Sequence, residues 1–181
     1  MGIPLPGIEI RIVNEEGKEV EVGQIGTIEL KGENIFKGYW GMEEKTKESF
    51  KDDGFFITGD LAKKDENGYF TIVGRDKDMI ISGGLNVYPK EIEDVINELP
   101  NITESAVFGV QHDDFGEAVV AAVVATDDKN DGSQILDYTK DKIAKYKQPK
   151  KIIFMSSLPR NSMGKVQKNK LRENNKSLFK S

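Results

Sequence analysis

The stretch Gly74–Pro89 reads GRDKDMIISGGLNVYP and combines charged residues, a short apolar run, a glycine pair and a helix start within sixteen residues. Met79–Ile81 is too short for a helix and predicts a buried strand. Ser82-Gly83-Gly84 predicts a turn whose backbone can approach a ligand closely, because the glycines have no Cβ. Pro89 then begins a helix, since its missing N–H costs nothing at the first helical position. The stretch therefore predicts a strand, a tight turn and a helix in direct succession.

The helix that begins at Pro89 is predicted to be amphipathic. Its first turn contains Glu91, which suits the positive end of the helix dipole, and Pro100 ends it. Its apolar residues recur with helical spacing and share one face: Ile92, Val95, Ile96 and Leu99.

The chain before this stretch is punctuated by glycine and has the alternating pattern of β-structure. Ile8, Ile10 and Ile12 alternate with polar residues, which is typical of a half-buried strand. Turn signals occur at Asn14-Glu15-Glu16-Gly17 and at Asp65-Glu66-Asn67-Gly68. The predicted elements are strands at 8–12, 25–30, 35–40 and 55–57, a short charged helix at 42–50, and a hairpin of 61–64 with 69–73.

Beyond Arg75, strands alternate with helices. A continuously apolar run at 118–125 predicts a fully buried strand. Ser133 is a candidate N-cap for a helix that reaches about Lys145. The other predicted elements are strands at 104–110 and 151–155, a loop with proline and glycine at 158–164, and a terminal helix from Lys168. The change in character predicts an α+β protein with a boundary near Asp76-Lys77.

Composition limits the possible functions. The 181 residues include 37% hydrophobic residues, which is enough for a packed core, and the net charge of -5 argues against nucleic acid as a partner. There is no cysteine and one histidine, so thiolate and multi-histidine metal sites are excluded. No apolar run approaches the roughly 20 residues that span a membrane, and no signal peptide precedes Ile3. We therefore expect a cytoplasmic protein with no membrane partner.

Motif spacing alone leaves the candidate residues open. Gly164-Lys165 is similar to the end of a phosphate-binding loop, but position 159, where that loop needs glycine, is proline. Asp60 could present a carboxylate to sugar hydroxyls, although an aspartate in a turn more often caps its own backbone. Arg75 and Lys165 could be ordinary solvated charges. For His112, which lies in a polar connection between two strands, the structural interpretation is favoured.

Four motifs together resemble the adenylate-forming, AMP-binding superfamily of acyl-CoA synthetases. They appear in that family's order and extend over nearly the whole chain. Their residues look most like those of the malonyl-CoA synthetases. The motifs are Gly38-Tyr39-Trp40, Thr58-Gly59-Asp60-Leu61, the stretch Gly74–Pro89, and Leu158–Val166.

The resemblance implies a nucleotide site and a catalytic lysine. Asp60 would accept hydrogen bonds from the ribose hydroxyls of ATP, and Arg75 would donate to the ribose. Asn86 would face the nucleotide. Lys165 would place its charge between the acid's carboxylate and the α-phosphate while the acyl-adenylate forms.

The resemblance also implies a second half-reaction. After pyrophosphate leaves, a hinge at Lys77 would let the small mobile domain rotate. Ser82, Gly83 and Gly84 would then line a tunnel for the pantetheine arm of CoA. Residues 1–76 would be the last, β-rich subdomain of the large adenylation domain, and residues 77–181 would be the C-terminal lid domain.

The chain departs from the family in one respect. The Ser/Thr/Gly-rich phosphate loop and the segment with the magnesium-binding glutamate do not occur in these residues, so no metal ligand is assigned here. The resemblance therefore implies the final third of an enzyme, inactive on its own, whose missing N-terminal segment is a required partner. The alternative is a freestanding, non-catalytic module that binds nucleotide or protein. An exposed apolar patch on the β-rich subdomain would favour the first interpretation.

Overall fold

The computed structural model describes residues 2–126 and 132–180. It divides into two compact units, Met1–Lys77 and Asp78–Ser181. The architecture of both units is α+β, as the sequence predicts.

The first unit contains a four-stranded antiparallel meander in the order β1-β2-β3-β4. Ile12, Ile28 and Ala62 form the buried core of this unit. The predicted charged helix, the first two predicted strands and the predicted hairpin of 61–64 with 69–73 are confirmed. The elements are β1 (Glu9–Val13), β2 (Gly26–Lys31), α1 (Glu43–Ser49), β3 (Phe56–Lys64) and β4 (Phe70–Arg75).

The strand predicted at 35–40 is wrong. This segment makes turns and irregular structure, and its aromatic residues form a ring cluster instead of a ladder. The Phe36 ring lies 5.0 Å from Tyr39, 5.5 Å from Phe50 and 5.0 Å from Phe56, measured between ring centroids. Edge-to-face contacts of this kind explain the apolar residues without any strand pairing.

The second unit is a five-stranded sheet in the order β6-β5-β8-β7, with β9 parallel to β8. A 3-10 turn at Asp76–Asp78 precedes it. Its elements are β5 (Ile80–Ser82), β6 (Leu85–Val87), α2 (Pro89–Ile96), β7 (Ile102–His112), β8 (Gly116–Ala125), α3 (Ser133–Lys140), β9 (Lys151–Phe154) and α4 (Lys168–Asn174).

The apolar strand β8 is buried on both faces, as its sequence predicts. Val119, Ala121 and Val123 belong to a core that includes residues of α2 and α3. Val120 and Ala122 belong to a second core on the other face, where α4 packs. Alternate residues of one strand thus hold helices on opposite sides of the sheet.

Two local predictions need correction. The strand β6 was not predicted, because Leu85 and Asn86 are exposed and give no core pattern. The helix α3 ends at Lys140 instead of Lys145, since the backbone becomes extended at Ala144, and Gly132 stands at the N-cap position predicted for Ser133.

Candidate functional site

Asp60 and Arg75 are brought together by the pairing of β3 with β4. They are direct partners in the antiparallel register, and Arg75 Nε donates to Asp60 Oδ1 at 2.6 Å. The side chains are 24% and 49% exposed, respectively. The carboxylate therefore forms a solvent-accessible ion pair.

The Thr58-Gly59-Asp60 sequence has a local geometry that orients the aspartate. The Thr58 hydroxyl donates to the Ile28 carbonyl at 2.9 Å and accepts from the Asp60 backbone N–H at 3.0 Å. Gly59 has a φ of +70°, which a residue with a side chain would adopt only with strain. The threonine thus satisfies the backbone N–H of Asp60, a role that sequence reasoning did not identify.

A second carboxylate–guanidinium pair in the same sheet differs in burial. Arg11 Nε donates to Glu29 Oε2 at 2.6 Å, and the Glu29 side chain is only 2% exposed. Arg11 also donates to Asp53 at 2.7 Å, and its guanidinium carbon lies 3.9 Å from the centre of the Phe55 ring. The hydrogen bond from Arg11 lowers the pKa of the Asp53 carboxyl and raises the pKa of Arg11. The buried Arg11–Glu29 ion pair therefore has a structural role.

An apolar groove of about 400 Å³ lies on one face of the first unit's sheet, and Asp60 is on its wall. Ile3 and Ile72, which line this groove, have 67% and 57% of their surface exposed. The other apolar side chains that line it are Ile10, Ile28, Leu30 and Phe70. The first unit therefore has an exposed apolar patch, the feature that favours an enzyme fragment over a freestanding module.

Lys165 lies in the connection between β9 and α4, and its side chain is exposed. Its neighbours make ion pairs, Arg160 with Glu104 and Lys168 with Glu93. Among residues 2–126 and 132–180, no carboxylate lies within 4.0 Å of Lys165 Nζ. Its ammonium group is therefore available to an anionic ligand.

The glycine turn joins β5 to β6. Gly83 and Gly84 have φ values of +59° and +77°, as in a two-residue hairpin turn with both central residues in the left-handed region. Gly83 N–H donates to the Phe115 carbonyl at 2.8 Å, and Ser82 is buried. Asn86 is exposed on β6, beside Ile81 in the register. These candidate residues thus share one hairpin.

Two further residues singled out by the sequence have defined surroundings. Lys77 is exposed in the 3-10 turn and is the last residue of the first unit. The His112 ring contacts Phe115 and Phe179, with centroids 4.8 Å and 5.1 Å away, and its Nδ1 accepts from the Asp114 N–H. In the described part of the chain, no cluster of three or more acidic, histidine or cysteine side chains could hold a metal ion.

The comparison with protein families identifies the class. Residues 91–165 match the AMP-binding enzyme C-terminal domain, and residues 1–40 match the AMP-binding enzyme family. The chain belongs to this adenylate-forming family and corresponds to its C-terminal portion. The family resemblance predicted from the sequence is therefore confirmed.

Three individual proteins are similar to this chain over nearly all of its length. The crystal structure of ATP-bound MatB from Rhodopseudomonas palustris is 56% identical with a TM-score of 0.93, over 99% of this chain and 36% of that one. Indoleacetate–CoA ligase of Aromatoleum aromaticum is 40% identical over 95% of this chain and 34% of its own length. Malonate–CoA ligase of Arabidopsis thaliana is 39% identical over 96% of this chain and 30% of its own length. The chain thus spans about a third of the length of these relatives.

None of the helices within residues 2–126 and 132–180 is long and apolar enough to cross a membrane.

The contrast between the two ion pairs yields a stability prediction. Arg11→Met leaves the buried Glu29 carboxylate without its main partner and should lower the free energy of unfolding by about 3–5 kcal/mol. Arg75→Met breaks an exposed pair and should cost about 0–1 kcal/mol. Urea denaturation of the two variants measures both values. Equal losses would contradict the distinction between a buried, stabilising ion pair and an exposed one.

Proposed function

We propose that this chain is the nucleotide-binding rim and the lid of an ATP-dependent acid–CoA ligase. The whole enzyme forms an acyl-adenylate with release of pyrophosphate and then transfers the acyl group to CoA. The observation that best supports this function is the match to ATP-bound MatB over 99% of the chain, which includes all of the motif residues.

The role of Asp60 and Arg75 follows from their accessible ion pair. A carboxylate in the wall of a groove can accept hydrogen bonds from both hydroxyls of a ribose, and the adjacent guanidinium can donate to the same sugar. Asn86 adds a polar contact to the nucleotide from the second unit. Because Asp60 is already oriented by Arg75 and Thr58, it loses little freedom when the ribose binds.

Lys165 is proposed as the catalytic residue of the first half-reaction. Negative charge develops between the attacking carboxylate and the α-phosphate, and a single ammonium group stabilises it without a proton transfer. The absence of an ion pair at Lys165 among the described residues supports this role, since a lysine already paired would gain less from the developing charge.

The second half-reaction is assigned to the glycine turn and the hinge. Apart from the adjoining residues, Gly83 and Gly84 have no heavy atom within 4 Å of where a Cβ would stand, so the backbone there is open to a narrow ligand such as the pantetheine arm. Lys77 ends the first unit and is proposed as the hinge that allows the lid domain, residues 77–181, to rotate between the two steps. Residues 1–76 are proposed as the last subdomain of the adenylation domain.

Malonate or a similar short dicarboxylate is the proposed acid. The support for malonate is the similarity to the malonate–CoA ligase of Arabidopsis thaliana, together with the resemblance of the motifs to malonyl-CoA synthetases. Magnesium is proposed to bind the ATP phosphates in the whole enzyme through residues that this chain does not contain, as the family resemblance implies.

The exposed apolar groove supports a fragment over a freestanding module. Ile3 and Ile72 are among the most exposed large apolar side chains of the first unit, and burying them would stabilise an association by about 25 cal/mol per Å² of apolar surface. The proposed occupant of this surface is the N-terminal segment of the whole enzyme, which corresponds to the part of the relatives that this chain does not match.

The role of Lys165 can be tested in the full-length enzyme or in the chain recombined with its upstream segment. Lys165→Ala should slow adenylation by about a hundredfold or more, because one preorganised charge is lost from the first transition state. Thioester formation from supplied acyl-adenylate should stay within severalfold of normal. Pyrophosphate release and CoA-thioester formation, assayed separately, measure the two steps.

Lys170→Ala is the matched control, since Lys170 is an exposed lysine of α4. It should leave both steps unchanged. Gly84→Ala is the reciprocal variant and should slow thioester formation more than adenylation. If Lys165→Ala slows both steps equally, or neither, the lysine has no catalytic role.

The hinge is tested by Lys77→Pro, which fixes φ near about −65° and should impair one half-reaction far more than the other. Lys77→Ala removes the side chain but keeps the backbone free, so both steps should survive. Equal loss of both steps in Lys77→Pro would count against rotation at this residue.

A further inference from the structure

Three hairpin loops of the chain share one pattern of side-chain hydrogen bonds. Each begins with Asn or Asp, whose Oδ1 accepts the N–H groups of the residues two and four positions later. The distances are 3.0 and 3.0 Å from Asn14, 2.9 and 2.9 Å from Asp65, and 3.0 and 2.9 Å from Asn161. The loops span 14–18, 65–69 and 161–165.

The backbone of the three loops is also the same. Their fourth residues, Gly17, Gly68 and Gly164, have φ values of +77°, +84° and +78°. Each glycine N–H donates to the carbonyl of the first residue, at 2.9, 3.0 and 2.9 Å. The first residue's N–H donates to the fifth residue's carbonyl, at 2.9, 3.0 and 2.9 Å. This is a three-residue hairpin loop, in which a type I turn is followed by a left-handed glycine.

The residue that follows the glycine in the third loop is Lys165. Its backbone N–H donates to the Asn161 side chain, and its carbonyl accepts from the Asn161 backbone. Asn161 therefore holds both polar groups of the Lys165 backbone, while the lysine side chain remains exposed. The direction in which the side chain leaves the loop is set by these contacts.

The loop is in turn attached to the sheet of the second unit. Arg160 Nη1 donates to the Gly164 carbonyl at 2.6 Å, and the same guanidinium forms an ion pair with Glu104 of β7. Arg160 and Val166 form a bridge beneath the loop, and Leu158 is buried in the core. The loop is thus a braced hairpin rather than a loose glycine-rich segment.

We propose that Asn161 is a positioning residue for Lys165. The inference rests on the catalytic role proposed for Lys165. A charge stabilises a transition state most when it needs no reorganisation as the reaction proceeds, and the Asn161 side chain supplies this rigidity at the lysine's own backbone.

The test uses the full-length enzyme or the recombined enzyme. Asn161→Ala removes the acceptor of two N–H groups and should lower kcat of adenylation about tenfold, with KM for ATP within about twofold. Thioester formation from supplied acyl-adenylate should not change. Asn161→Thr keeps an oxygen that can accept one of these bonds, so it should recover part of the rate.

The first loop provides a matched control. Asn14→Ala removes the same two hydrogen bonds from the same loop geometry, in the unit that does not contain Lys165. It should lower stability about as much as Asn161→Ala and leave adenylation unchanged. If Asn161→Ala also leaves adenylation unchanged, or lowers it no more than Asn14→Ala does, the inference is overturned.

A double variant separates this inference from the proposed function. If Asn161 acts through Lys165, adding Asn161→Ala to Lys165→Ala should cause no further loss of adenylation. A further tenfold loss in the double variant would mean that Asn161 acts independently, which overturns the inference and leaves the role of Lys165 intact. If Lys165→Ala alone has no effect, the catalytic role proposed for Lys165 fails.

Discussion

Burial of β8 on both of its faces is the constraint on which the second unit depends. Because Ala118–Val123 have no exposed side, helices must cover both faces of the sheet. The face that includes Val119 also holds Ile80, Val87 and Ile92, which flank the glycine turn. The opposite face holds Leu158, Val166 and Leu171, which flank the Lys165 loop. Each candidate loop of this unit is therefore anchored by apolar residues on either side of it.

Burial also distinguishes the two ion pairs of the first unit, and this difference supports the role proposed for Asp60. Two arginine–carboxylate pairs of similar length, at 2.6 Å, cross neighbouring strands of the same sheet. Glu29 is enclosed, so its charge is committed to Arg11, while Asp60 is open to solvent and can exchange part of its hydration for a ligand. Both pairs join a guanidinium to a carboxylate, and their different accessibility supports the different roles proposed for them.

Much of the fold could be predicted from the sequence because the relevant signals are local. Alternating isoleucines predicted β1, the apolar run predicted β8, and Pro89 with its apolar face predicted α2. The strand expected at 35–40 could not be excluded, since Phe36 and Tyr39 suit a strand as well as a ring cluster. The short strand β6 has two exposed residues and depends on its partner β5.

The candidate site was less accessible to sequence reasoning. Asp60 and Arg75 lie fifteen positions apart, and only the β3–β4 register makes them neighbours. The Thr58 hydroxyl bonds and the Arg11–Glu29 pair depend on which face of a strand is buried, which composition does not reveal. The spacing of the repeated loop is visible in the sequence, because Asn or Asp is followed three residues later by glycine at 14, 65 and 161. The same spacing occurs at 113, where the hydrogen bonds differ, so it does not identify the loop by itself.

We infer that this chain completes an acid–CoA ligase and has no such activity alone. The test is to mix the chain with its separately expressed upstream segment and to assay CoA-thioester formation that depends on ATP and malonate. Activity is expected in the mixture and not with either part alone. Pyrophosphate release from ATP and malonate by the isolated chain, above a heat-killed control, would contradict it. So would an inactive mixture under conditions in which the full-length protein is active.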